Sequence, residues 1–110
     1  MNKSVAVSVC GPECELIAFV RMDGTSPAAS RIAQNKAYTA ASDRAETSKM
    51  GERMRGSDNP AFWGDERITG FGGGVPIYNN NKVIGAIGVS GLPEADDVQL
   101  AKDAVKGVFG

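Results

Sequence analysis

Apolar and polar residues alternate at the start of the chain. Val5, Val7 and Val9 interleave with Ala6, Ser8 and Cys10, and this period of two predicts a half-buried strand. Gly11-Pro12-Glu13 reads as a turn. Glu15–Arg21 returns as a second, more apolar strand, so residues 5–21 predict a hairpin. Ser26-Pro27 then offers a hydroxyl at the N-cap and a proline at the first helical position, where its missing N–H costs nothing. The helix is expected to run from Pro27 to about Arg44. Its apolar positions, Ala29, Ile32, Ala33, Ala37, Ala40 and Ala41, form one stripe of mostly small side chains, suited to close packing on a sheet or helix. Lys36 falls inside that stripe, four residues after Ile32 and four before Ala40.

Residues 45–67 break the periodicity, with Gly51, Gly56, Pro60 and Gly64 among Met50, Met54, Phe62 and Trp63. A short helix near 47–55 fits, and so long a connection suits a lid, pocket wall or contact surface. Val75–Tyr78, Asn79-Asn80-Asn81 and Lys82–Ser90 predict a second hairpin, because asparagine tolerates the left-handed conformation of tight turns. In its last strand Val83, Gly85, Ile87 and Val89 face one way, and Ile84, Ala86, Gly88 and Ser90 the other. Both faces are rich in small residues, so another element must approach closely. Gly91-Leu92-Pro93-Glu94 opens a final helix, with Asp96 and Asp97 in its first turn and Val98, Ala101, Val105 and Val108 as its buried stripe. The order β-β-α-loop-β-β-α predicts an α+β fold with a mainly antiparallel sheet.

Composition narrows the function. A chain of 110 residues predicts a single domain spanning 1–110. Twelve basic against thirteen acidic residues leave a net charge of −1, which argues against a nucleic-acid surface. No apolar run approaches the length of a membrane span and no signal peptide opens the chain, so a soluble, cytoplasmic protein is expected. Histidine is absent, which excludes Ser–His, Cys–His and His-based zinc chemistry and the usual axial haem ligand. Fourteen glycines exceed ordinary usage and call for a backbone or packing explanation.

Gly70-Phe71-Gly72-Gly73-Gly74 invites a phosphate-loop reading that fails, because Val75-Pro76-Ile77 continues as a strand where a helix should follow. It is either a glycine bulge or a pocket wall whose bare N–H groups meet a ligand oxygen. Cys10 and Cys14 face each other across the first turn. Two thiols without a third ligand make a poor metal site, so no metal is expected, and either an incidental or a redox or ligand-contacting role fits. Lys36 either snorkels past its short neighbours or points into a cleft, paired with a carboxylate or an anionic substrate group. Arg21 and Asp23 end a strand as an ion pair or as ligand contacts. Asp96 and Asp97 serve as helix-start acids, with Asp96 the one that would take part in chemistry. Phe62 and Trp63 anchor the loop or cap a ligand.

Val5–Gly24 ending in Phe-Val-Arg-Met-Asp-Gly, Ile32-Ala33-Gln34-Asn35-Lys36-Ala37 with Thr39-Ala40-Ala41, Gly72-Gly73-Gly74-Val75-Pro76-Ile77 and Val83–Gly91 together resemble the GlcG/HbpS family. That family includes the C-terminal domain of PduO-type cobalamin adenosyltransferases, and the likeness covers essentially the whole chain. The resemblance implies a profilin-like, three-layer α/β/α fold with a five-stranded antiparallel sheet, homo-oligomers, and, more loosely, binding of haem or a related tetrapyrrole. Three departures stand out. Only four residues precede Val5, where the family carries an amphipathic helix, so that helix is expected to be missing. The first turn is Gly11-Pro12-Glu13-Cys14 rather than the usual Asp with a Gly pair, and no histidine is present to ligate iron.

Two functions follow as expectations. The first is a small-ligand-binding domain whose pocket lies between the Pro27–Arg44 helix, the Gly72–Gly74 bend and the 45–67 loop. There Lys36 and Arg21 would supply positive charge and Gly72, Gly73 and Gly74 neutral donors, with Asp23 nearby. The second is a cofactor-independent lyase or isomerase for a small carboxylate or aromatic metabolite, with Lys36 as base or electrophile and Asp96 or Glu13 as its acid–base partner. A structural subunit that borrows its missing helix from a partner is a third.

Overall fold

The computed structural model describes residues 3–56, 59 and 64–109. Four strands and three helices are found among them: β1 Ala6–Cys10, β2 Leu16–Arg21, α1 Pro27–Asp43, α2 Thr47–Arg55, β3 Gly74–Asn79, β4 Lys82–Ser90 and α3 Glu94–Phe109. The strands form one antiparallel sheet in the order β2-β1-β4-β3. The sheet therefore has four strands among the described residues, not the expected five. Two hairpins supply all four. Residues 64–73 form no strand and are held by a turn at 65–68 and by Thr39, whose hydroxyl donates to the Arg67 carbonyl and accepts from the Thr69 N–H.

Local signals explain the boundaries. Ser26 Oγ accepts from the Ala29 N–H at 3.1 Å, and Arg44 ends α1 in the left-handed conformation at φ 56°. Asn80 and Asn81, at φ 52° and 64°, make the two-residue turn of the second hairpin. Pro76 stands in β3, an edge strand, where a missing donor is tolerated.

The helices cover opposite faces. Ala6, Ser8, Cys10, Ala86 and Gly88 face α1. A Cβ at Gly88 would stand 2.1 Å from the Ala33 carbonyl oxygen, so the helix backbone rests directly on β4. This is the close approach that the small residues of β4 required. Val75, Ile77, Ile87 and Val89 point to the other face, where Val75, Ile87 and Val89 pack with Val5 and Ala101 of α3. Val108, expected in the α3 stripe, is exposed. β2 is the outermost strand of the sheet on its side, and Leu16, Ile17 and Val20 are left facing solvent.

Candidate functional site

Lys36 is the largest fully buried side chain among the described residues, 2% exposed. It leaves the middle of α1 and crosses to the opposite helical layer where β3 begins and β4 ends. Its Nζ donates to the Val89 carbonyl at 2.7 Å and to Asp97 Oδ2 at 3.1 Å. Asp97, 3% exposed in the first turn of α3, accepts from the Leu92 N–H on its other oxygen at 3.0 Å. One ion pair thus ties α1, β4 and α3 together. Burial pulls the Lys36 ammonium below the ordinary lysine range, and the Asp97 hydrogen bond and charge, with the Glu94 charge beyond, act in the opposite direction.

The glycine bend exists because of this crossing. A Cβ on Gly73 would stand 2.9 Å from Lys36 Nζ, and one on Gly74 2.4 Å from the Lys36 carbonyl oxygen. The N–H of Gly72 donates to Glu94 Oε2 at 2.6 Å and that of Gly74 to Thr47 Oγ1 at 2.8 Å. These two donors are therefore spent inside the protein and are not offered to a ligand. The bend is a packing device that lets a lysine pass between layers.

A cavity of about 250 Å³ opens above the ion pair, with Lys36, Asp97 and Ser90 as its polar floor, Glu94 on one wall, and Ile32, Phe71 and Leu92 as its apolar lining. A second cavity of about 330 Å³ adjoins it, sharing Phe71 and Glu94 and adding Gly51, Met54, Arg55, Thr69 and Gly70.

The remaining candidates lie elsewhere. Arg21 is exposed at the end of the outermost strand, opposite Ala6, two strands from Val89. Asp23 is exposed beyond it, its carbonyl accepting from Ser4 Oγ, and no ion pair joins the two. Asp96 is also exposed, so the carboxylate that meets Lys36 is its neighbour Asp97. Glu13 is exposed in the first turn, its N–H bonded to Glu15 Oε1. Phe62 and Trp63 lie outside the described residues. Sequence reasoning passed over Asp97 as a helix-start acid. Its signal was spacing: it stands four residues before Ala101 on the buried stripe of α3.

Cys10 and Cys14 are free thiols that donate to consecutive carbonyls of α1, Ala37 at 3.3 Å and Tyr38 at 3.6 Å. Burial pushes the Cys10 thiol up to about 11 and raises Cys14 as well. Beside them Asp65 accepts from Tyr38 Oη and from the Arg67 guanidinium, which stacks 4.0 Å from the Tyr38 ring centre. The Arg67 contact first, then Tyr38, holds the Asp65 carboxyl well below the usual range. The cavity at this cluster measures about 160 Å³. Among the described residues no group of three or more potential metal ligands is present.

A family model described as haem degrading protein HbpS-like matches residues 1–106. The GlcG protein of Escherichia coli K12 is 44% identical over 89 residues, covering 81% of this chain, which spans 66% of that relative's length. A Citrobacter freundii protein from the dhaT-dhaS intergenic region, described as an uncharacterized 15.0 kDa protein, is 34% identical over 110 residues, covering 96% of this chain and 76% of its own. Klebsiella pneumoniae ORFY superimposes with a TM-score of 0.89 at 31% identity, over 99% of this chain and 79% of that one. A PduOC–haem complex superimposes at 0.90 over 97% and 80%, and at 23% identity it speaks for the fold alone.

Proposed function

This chain belongs to the GlcG/HbpS family, whose model is described as haem degrading protein HbpS-like, and from that premise we propose that it is a small-ligand-binding accessory domain acting in the cytoplasm, with haem or a related tetrapyrrole as its ligand. The observation that carries the reading is the pair of adjoining cavities, about 250 and 330 Å³, joined at Phe71 and Glu94. Together they fall in the size range of roughly 300–1,000 Å³ expected of cofactor pockets, with Ile32, Met54, Phe71 and Leu92 as apolar lining beside the polar Lys36, Arg55, Thr69, Ser90, Glu94 and Asp97. Family names support the ligand class, and so does the chemistry of the second cavity. Met54 presents a thioether and Arg55 a guanidinium on its lining.

In the absence of histidine, Met54 and Arg55 are the cavity groups whose chemistry would serve a tetrapyrrole. Met54 would hold the iron, whose potential a thioether ligand raises, and Arg55 would pair with a propionate. Lys36 does not fill that second role, because its charge is already balanced by Asp97. Phe71, exposed on the rim of both cavities, would stack on the macrocycle.

Haemin titration followed by Soret absorbance tests the reading. Saturable, stoichiometric binding is expected, with Met54→Ala shifting the Soret maximum and Arg55→Ala weakening affinity about tenfold, equivalent to about 1.4 kcal/mol. A nonsaturating response identical in all three proteins overturns it.

A further inference from the structure

The cavity of about 250 Å³ has a floor group to which the tetrapyrrole reading gives no role: the buried Lys36 nitrogen, held by two acceptors. We infer that Lys36 is a nucleophile that forms a reversible imine with small uncharged aldehydes or ketones entering the cavity lined by Ile32, Phe71, Ser90, Leu92 and Glu94. The inference stands apart from the tetrapyrrole reading and needs neither Met54 nor Arg55.

Three features carry it. The hydrogen-bond count of Nζ is the first. It meets two acceptors, the Val89 carbonyl at 2.7 Å and Asp97 Oδ2 at 3.1 Å. Those two acceptors take two of the ammonium's three protons, and loss of one proton to Asp97 leaves the nitrogen with both remaining N–H bonds and a lone pair. The second is the position of the proton acceptor. Asp97 lies within hydrogen-bond distance of the same nitrogen and is fixed by the Leu92 N–H, so it can take the ammonium proton and return it. The third is the low exposure of the floor, since a desolvated lysine is the kind that acts as a Schiff-base amine.

Charge selects the substrate class. The cavity holds one cation, Lys36, against two carboxylates, Asp97 and Glu94, so a substrate carboxylate would add a third negative group. An uncharged carbonyl compound with a short apolar substituent avoids that cost and uses Ile32, Phe71 and Leu92. The small carboxylate expected from the sequence does not suit this floor.

The step balances without a further reactant. Asp97 Oδ2 takes a proton from the Lys36 ammonium. The nitrogen lone pair attacks the carbonyl carbon, and the C=O π pair moves to oxygen, which takes the proton held by Asp97; the nitrogen then gives one proton back to Asp97, leaving a neutral carbinolamine. The hydroxyl takes that proton from Asp97 and leaves as water while the nitrogen lone pair forms the C=N bond, so ammonium and aldehyde give a protonated imine, paired with the Asp97 carboxylate, and one water. Hydrolysis reverses each step.

Butyraldehyde with cyanoborohydride tests this, because hydride delivered to the imine carbon makes the link permanent as a secondary amine. Peptide mapping then compares Lys36 with Lys3, Lys49, Lys82, Lys102 and Lys106 in the same molecule. Lys36 is expected to react first and with saturation in aldehyde. Succinic semialdehyde, which carries a carboxylate, is expected to leave Lys36 unmodified while alkylating the other lysines. Asp97→Asn, checked for folding by circular dichroism, is expected to slow the Lys36 reaction by about 10²-fold, the usual loss on removing a positioned acid–base group. Alkylation confined to the other lysines, or at Lys36 without saturation, overturns the nucleophile. Equal reaction with the two aldehydes overturns the charge selection.

Discussion

Lys36 Nζ occupies the space that a side chain at Gly73 would need: a Cβ there would stand 2.9 Å from the nitrogen and 2.7 Å from the Val89 carbonyl oxygen that the nitrogen bonds. Gly73 also has φ +122°, where an L side chain is strained. Gly73→Ala is therefore expected to lower stability by about 1–3 kcal/mol, read as a shift of the urea midpoint. Gly107→Ala makes the opposite control. It lies in α3 with open space around its Cβ, and it is expected to gain about 0.5–1 kcal/mol. Equal effects at the two positions would refute the packing account of the bend.

Removing Asp97 strands a buried ammonium. Asp97→Ala is expected to cost about 3–5 kcal/mol, because the remaining charge keeps its desolvation penalty and loses its partner. Lys36→Met combined with Asp97→Leu is expected to recover most of that loss, since paired apolar replacement of a buried ion pair is often neutral. The exposed neighbour provides the reference: Asp96→Asn is expected to stay within about 0.5 kcal/mol. Chemical denaturation of the four proteins reads all of these.

Most of the fold was legible in the sequence because its signals are local. The Val5–Cys10 alternation, the Ser26-Pro27 cap and the asparagine turn each encode their element within a few residues, and the structure places strand, helix and turn there. The site was legible by half. Lys36 stood out as a cation on an apolar stripe. Asp97 did not, because an acid at a helix start has an ordinary explanation, and its partner lies 61 residues away in sequence. The glycine run was noticed, but its purpose was not: nothing in Gly72-Gly73-Gly74 says that the crossing side chain belongs to α1. The fifth strand came from resemblance rather than from any alternating run, and the described residues do not contain it.

Alkaline pH separates the two buried groups. The Cys10 thiol is raised from 9.0 to about 11, so between those values the unfolded chain has shed a proton that the folded protein keeps. Stability from this group falls with rising pH across that window, by about 1.4 kcal/mol per unit. Lys36 acts in the opposite sense. Its folded value is lowered from 10.5, so below that pH the unfolded chain holds the extra proton, and stability rises with pH. Cys10→Ala removes only the falling contribution. Urea midpoints below pH 9 and near pH 11 are expected to drop less in Cys10→Ala than in the parent, and identical drops would show that Cys10 does not set the alkaline limit.

The open edge of the sheet carries the remaining expectation. β2 is the outermost strand on its side, with Leu16, Ile17 and Val20 between 59 and 65% exposed, and Arg21 at its end is its only charge. The opposite edge, β3, is blunted by Pro76, whereas β2 has no such device. An exposed, apolar edge strand is a template for pairing with another strand, and antiparallel pairing of β2 with β2 of a second copy would bury these side chains and satisfy both edges. Self-association through β2 is expected in sedimentation equilibrium. Ile17→Lys and Val20→Lys, at positions too exposed to disturb folding by more than about 0.5 kcal/mol, are expected to shift the mass to that of the monomer. A parent protein already monomeric, or variants that assemble unchanged, would remove β2 as the contact.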